Sequence, residues 1–325
     1  MRRCNNAISV LLLGCLAAFG QVNQTQQAPI KDDDTTTFRS DTRLVILPAT
    51  VVDRSGRLVT DLPQKAFKVY ENGIEQPIKI FRREDVPISL GMIVDNSGSM
   101  RNKRQKVESS AMTLVKASNP EDEVFIVNFN DEAFLDQPFT NKLKDLEHGL
   151  AKIDSRGGTA MRDAVRMSID YLKENGKKDK KVLLVITDGD DNNSSGTLEN
   201  LVKAAQQTEI LIYSIGLLSE EEKREAKRAK RALESIAEAT GGHAYFPKGI
   251  EDVDKIAQQV AHEIRNQYVI GYSPTNPALD GSFRQIRVIA NGPGKPIVRT
   301  RSGYYATPEK QQGSPKPASA KASGF

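Results

Sequence analysis

Two short stretches carry carboxylates and hydroxyls at spacings suited to a hard cation: Asp95-Asn96-Ser97-Gly98-Ser99 and Thr187-Asp188-Gly189-Asp190. A third, Ser155-Arg156-Gly157-Gly158-Thr159, adds a hydroxyl beside two glycines. Together Asp95, Ser97, Ser99, Thr159 and Asp188 offer only oxygen donors, which suit Mg²⁺, Mn²⁺ or Ca²⁺ rather than a softer metal. With so few direct charges the ion would keep waters and one open position. Taken alone, the first stretch also reads as an Asx turn with a serine capping the next helix, and both roles can coexist. Convergence of separate segments is the stronger sign of a site.

For these loops to meet, they must leave one edge of one sheet. The rhythm after Pro87 supplies that. Ile88 to Val94 is a continuous apolar run of the buried parallel type, and Val107, Ala111, Leu114 and Val115 then mark a helical face. The alternation continues through strands at Val124 to Phe129, Val182 to Ile186, Ile210 to Ile215 and His243 to Phe246. Helical spacings separate them, around Leu146, Ala164, Leu201 and Leu233, and Val253, Ile256, Val260 and Ile264 close the series. This predicts an α/β fold over 87–266, a doubly wound, mainly parallel sheet, with ligands taken at the carboxyl ends of its strands. On either side the pattern is strands alone. Leu44 to Leu47, Ala49 to Val52, Phe67 to Tyr70 and Ile78 to Phe81 precede it, and Tyr268 to Tyr272, Phe283 to Ile289 and Ile297 to Thr300 follow. Neither 44–86 nor 267–306 is large enough to bury a core, so the two are expected to pair as one small β-sandwich into which the α/β domain is inserted.

The chain has 325 residues and a net charge of +4, too mild an imbalance to argue for nucleic acid or an anionic membrane. Arg2 and Arg3 before the apolar run Ala7 to Phe19 read as a secretory signal, residues 1–20, cleaved before Gln21. Lipoprotein processing at Cys15 is the alternative. The only cysteines, Cys4 and Cys15, lie inside that segment, so a cleaved chain has no disulfide, thiolate zinc site or cysteine nucleophile, and it has no transmembrane helix. Residues 21–43 read as a flexible leader, and 307–325, rich in Pro, Lys, Ser and Gly, as a disordered tail.

The three chemical stretches strongly resemble the von Willebrand factor A-type domain (VWFA), whose metal-ion-dependent adhesion site (MIDAS) runs D-x-S-x-S, then Thr, then Asp. All five positions match. The resemblance covers about 180 residues, including the phasing of motifs with strands. Outside it, the Gly73 hairpin, the approach Glu84-Asp85-Val86-Pro87, Asn266-Gln267-Tyr268 to Gly271-Tyr272, and Gly303-Tyr304-Tyr305 look like the bacterial exported proteins called VWFA-related. The resemblance implies one divalent cation, Mg²⁺ first, with Ser97 and Ser99 as direct ligands and Thr159 direct or through water. Asp95 and Asp188 would hold the waters and hydroxyls in place. An ion ringed by neutral hydroxyls stays electrophilic, so a partner protein's carboxylate can take the vacant position. That implies binding, without catalysis, by an exported protein, periplasmic or secreted, and a Thr159 loop that closes as the last helix shifts.

Other features invite other readings. Asp188, Asp190, Asn192 and Glu199 fall at calcium-loop positions, but Asn193 replaces the required glycine and a strand precedes the segment, so Asp190 to Ser195 is expected to be a polar rim loop beside the metal. Glu220 to Arg231 has acids first and bases later, as a solvated helix extension would, with no aromatics interleaved for nucleic acid. His148, His243 and His262 share no ligand spacing. A metal-dependent hydrolase is a weaker reading, since no second metal cluster or nearby histidine accompanies the motifs. A structural envelope protein whose metal only steadies the loops is the remaining alternative.

Overall fold

The computed structural model describes residues 44–83, 85–152, 155–218 and 223–308. The expected signal, the leader, Cys15 and the tail from 309 lie outside these residues. Four strands come first: β1 (Val45–Val52), β2 (Phe67–Glu71), β3 (Ile74–Gln76) and β4 (Ile78–Arg83). The alternating part follows as β5 (Ile88–Asp95), α1 (Arg104–Lys116), β6 (Glu123–Phe129), β7 (Ala133–Thr140), α2 (Leu143–Ala151), α3 (Met161–Asn175), β8 (Lys180–Thr187), α4 (Leu198–Gln206), β9 (Leu211–Gly216), α5 (Lys223–Thr240), β10 (Ala244–Tyr245) and α6 (Val253–Arg265). Last come β11 (Tyr268–Tyr272), β12 (Phe283–Ala290), β13 (Ile297–Arg299) and β14 (Gly303–Tyr305).

The central sheet has the order β10-β9-β8-β5-β6-β7. Every pair is parallel except β6 with β7. An apolar run without polar alternation needs cover on both faces, and all eight residues of β5 are buried. Leu90, Met92 and Val94 pack with Val107 and Leu114 of α1, Leu146 of α2 and Val260 of α6. Ile93 packs on the other face in a cluster with Val165 of α3, Leu201 of α4 and Leu233 of α5. The sheet is therefore doubly wound, as its sequence rhythm predicts. Since β5 and β8 are adjacent and parallel, the segments after Asp95 and after Thr187 leave the same edge side by side.

Strand β7 carries no clean signal, because Pro138 interrupts it and Phe134 points outward, 48% exposed. It survives as an edge strand whose pairing with β6 shifts register twice, which is where a sheet tolerates proline. The two apolar runs before Val52 are one strand. Pro48 sits where β1 is paired only with β11, so its missing N–H need not break a ladder on a second side.

The flanking strands form two antiparallel sheets, β13-β1-β11-β4 and β14-β12-β2-β3, each drawing strands from both ends of the chain. Leu47, Val51, Val69, Ile270 and Val288 fill the space between them. Asn72 and Gly73 adopt φ of 47° and 83°, the left-handed pair that a two-residue hairpin between β2 and β3 requires. A polar group is buried in this core. The Glu71 carboxylate accepts from Tyr272 Oη at 2.7 Å and Tyr304 Oη at 3.0 Å, and pairs with Arg284 Nη1 at 3.4 Å. These residues stand on strands of both sheets. The passage into the α/β part is just as local: β4 and β11 are hydrogen-bonded neighbours, with Arg83 opposite Tyr268. Arg265, ending α6, pairs with Asp85 at 2.9 Å and with Asp122, whose Oδ1 accepts from Ile88 N at 2.8 Å.

Candidate metal centre

Asp95 ends β5 with its side chain held inward. Its Oδ1 accepts from Ser97 N at 2.8 Å and its Oδ2 from Thr187 Oγ1 at 2.5 Å, so the ends of β5 and β8 are tied at the carboxylate. The Asx turn is therefore real. The capping role is not: Ser97 occupies the N-cap of a short 3-10 helix, Gly98–Asn102, yet its hydroxyl makes no capping bond. It lies instead 3.0 Å from Ser99 Oγ, and Ser99 Oγ donates to Asp188 Oδ1 at 2.7 Å. Ser97, Ser99 and Asp188 thus form one continuous chain of oxygens across two loops. Asp95, Ser97 and Asp188 are buried, while Ser99 is exposed at the mouth.

Thr159 reaches the group from a third loop fixed mostly by backbone bonds. Gly98 N donates to Gly157 O at 3.3 Å, Arg156 N to Asn96 O at 3.1 Å, and Thr159 N to Asn192 Oδ1 at 2.9 Å. Asn192 N returns a bond to Thr159 O at 3.1 Å. Thr159 Oγ1 is 3.9 Å from where a Cβ on Gly189 would stand, so it faces the segment that begins with Asp188. Gly157, with φ of 75°, also brings backbone close to the Asp131 carboxylate, where a Cβ would lie 2.1 Å from Oδ2. All five residues singled out by the sequence are therefore at this edge, four in direct hydrogen-bond contact through Asp95, Ser97, Ser99 and Asp188, and Thr159 beside them.

Burial pushes the Asp95 carboxyl up to about 6, against the bonds from Thr187 and Ser97, and the neighbouring Asp188 charge adds to the push. Two carboxylates and three hydroxyls in one partly dry edge call for positive charge. One already stands there. Lys103 Nζ is 2.5 Å from Asp188 Oδ2, with the aspartate side chain wholly buried. The motif does not include Lys103; it lies at the junction of the 3-10 helix with α1, where only the three-dimensional turn brings it back. Thr187 and Asn192, which orient Asp95 and Thr159, were equally outside the sequence motif. The calcium-loop reading of 188–199 is not realised: Asp190 pairs with Arg228 at 2.5 Å, Asn192 holds the Thr159 loop, and Glu199 lies in the first turn of α4. Among the described residues no three His, Cys, Asp or Glu side chains are grouped to hold a metal, so an ion here must use hydroxyls.

Residues 90–190 match the family model described as von Willebrand factor type A domain. The part of the chain from β5 to β8 thus resembles a von Willebrand factor type A domain. Solved structures resemble it at low identity. A von Willebrand factor type A protein from Catenulispora acidiphila aligns at 12% identity over 83% of this chain and 75% of that one, with a TM-score of 0.48. An aerotolerance-related membrane protein from Bacteroides fragilis, carrying multiple mutations to serine, aligns at 17% over 55% of this chain and 98% of its own, TM-score 0.45. Proximal thread matrix protein 1 from the mussel byssus, solved with a zinc-occupied MIDAS motif, aligns at 16% over 60% of this chain and 50% of its own, TM-score 0.47. No curated protein matches the sequence. Among the described residues no helix is long and apolar enough to cross a membrane.

Proposed function

We propose that the A-type domain is an exported, non-enzymatic protein-binding module, acting in the periplasm or outside the cell, that captures its partner through one divalent cation, Mg²⁺ by preference. The residues fit such an ion. Ser97, Ser99 and Thr159 would supply neutral oxygens, and Asp95 and Asp188 would orient them and the ion's waters. Bound there, the cation supplies an electrophilic position for an acidic side chain of the partner. What carries the reading is the chain from Ser97 Oγ through Ser99 Oγ to Asp188 Oδ1, at 3.0 and 2.7 Å. Both hydroxyls thus lie within one hydrogen-bonded chain of oxygens, and Ser99 is exposed to solvent.

The test is affinity capture from the native envelope with the wild-type protein in Mg²⁺, the same protein in chelator, and Asp95→Ala in Mg²⁺. A partner retained only in the first supports the reading. Identical partners in all three overturn it, and turnover of a phosphoester that depends on Asp188 would move the protein to a hydrolytic class.

A further inference from the structure

At the end of the central sheet opposite the metal loops, a cavity of about 380 Å³ lies between the amino ends of β8 and β9 and the outer face of the sheet β13-β1-β11-β4. That volume is within the range of small-molecule sites, which favour such junctions. We propose that the cavity binds a small organic acid in its carboxylate form, carried on an apolar body. The proposal is independent of the metal centre and of the partner captured there.

The wall explains the apolar body. In β1, Val45, Leu47 and Ala49 are buried in the sandwich core, so Ile46 and Pro48 face the other way. Pro48 stands opposite Val269 of β11, and Val269 opposite Arg82 of β4, which sets a row across three strands. Ile46, Pro48 and Val269 line the cavity and are only half-buried. The outer face of an antiparallel sheet is ordinarily polar and wet, whereas this one is apolar where the cavity meets it. The buried Leu211, at the start of β9, continues the apolar lining on the opposite side. An apolar ligand body would take both surfaces out of water.

The charge explains the carboxylate. Among the described residues six bases line the cavity, against two acids, Asp179 and Glu209. Lys181 Nζ donates to Lys178 O at 3.1 Å and Arg301 Nη2 to Gln206 O at 2.9 Å, carbonyls that fix a cation's direction and leave its charge in place. Lys177 and Lys178 project from a pinned turn, Lys177 N donating to Glu123 Oε1 at 2.6 Å and Lys178 N to Ser89 Oγ at 3.0 Å. Their ammonium groups make no hydrogen bond or ion pair among the described residues. Asp85 and Asp122 act on the neighbouring Lys180, but both are paired with Arg265. The excess of bases turns away a cation. The apolar row turns away phosphate or sulfate alone, whose every oxygen needs a donor. An acid with an apolar body satisfies both walls.

The probe is 2-naphthoate, titrated into the full chain, with 2-naphthamide as the body without the charge and acetate as the charge without the body. The methyl resonances of Ile46, Val269 and Leu211 are followed by NMR. Saturable shifts at these methyls are expected with naphthoate, with binding about tenfold weaker for the amide and no shift with acetate at the same concentration. Lys177→Ser combined with Lys178→Ser should bring naphthoate down to the affinity of the amide and leave the melting temperature of the free protein unchanged. Val269→Phe fills the cavity and should abolish the naphthoate shifts at Ile46 in a spectrum that stays dispersed. Equal binding of naphthoate and naphthamide, acetate acting as strongly as naphthoate, no shift at Ile46 and Val269, or unchanged affinity in the lysine double variant would each overturn the proposal. If Val269→Phe does not fold, the lysine variant and the two comparators decide without it.

Discussion

Asp188 serves two partners at once, accepting from Ser99 on one oxygen and from Lys103 on the other. An ammonium on a buried carboxylate and a divalent cation beside it compete for the same negative charge. Replacing Lys103 by Met keeps the stem and removes that competitor, so Lys103→Met is expected to tighten Mg²⁺ binding severalfold by isothermal titration, whereas Ser99→Ala should weaken it. Unchanged affinity in Lys103→Met would mean that the ion never meets the Asp188 field. The five motif residues were legible in the sequence because each is fixed by its place just after a strand or before a helix. Lys103, Thr187 and Asn192 were not. Their roles come from side chains that reach across from neighbouring turns, and nothing in residue type or spacing announces such a reach.

Among the elements, the buried parallel strands and the helices with one apolar stripe were readable because burial on both faces or on one leaves a periodicity. Strand β7 was hidden by the same logic, since an edge strand with a proline and an outward phenylalanine obeys neither period. The short strand β10 has a pH consequence. His243 precedes it, edge-on to Tyr245 at 4.7 Å, and burial, with Arg299 second, holds its imidazole down to about 4. In the unfolded chain it titrates at the ordinary value, so the unfolded state binds the proton first as pH falls. Stability should therefore decline as pH drops from about 6.5 towards 4. His243→Phe should flatten that part of the profile of melting temperature against pH, and an unaltered slope would remove His243 as its source. In the flanking sheets the decisive group is Glu71. Glu71→Ala removes the acceptor of two buried tyrosine hydroxyls and the buried carboxylate partner of Arg284, which keeps Ala278 O and Asp280, and should cost about 3 kcal/mol in denaturant unfolding, while leaving Mg²⁺ affinity intact. Sequence reading placed Tyr272 and Tyr304 in a family pattern without a reason. The reason is this shared carboxylate.

For the whole molecule, the expectation that 44–86 and 267–306 build one sandwich followed from size alone: too few residues on either side to close a core. What size could not supply was strand order. Each sheet interleaves strands from both ends of the chain, so neither segment is a folding unit. Replacing residues 84–267 by an Asn-Gly turn between Arg83 and Tyr268 should leave a folded sandwich with dispersed NMR resonances, because those two residues already face each other. Residues 44–83 alone should remain unfolded, and a folded 44–83 fragment would contradict the interleaved order. The same neighbouring strands have a mechanical meaning. The chain departs from β4 and returns on β11 of the same sheet, so a pull that spreads the two ends of the α/β part is carried by the antiparallel bonds at this neck. The α/β part also bonds the flanking strands away from the neck, Arg301 Nη2 donating to Gln206 O at 2.9 Å and Ser302 N to Ala239 O at 3.4 Å, so a pull on those strands reaches α4 and α5 as well.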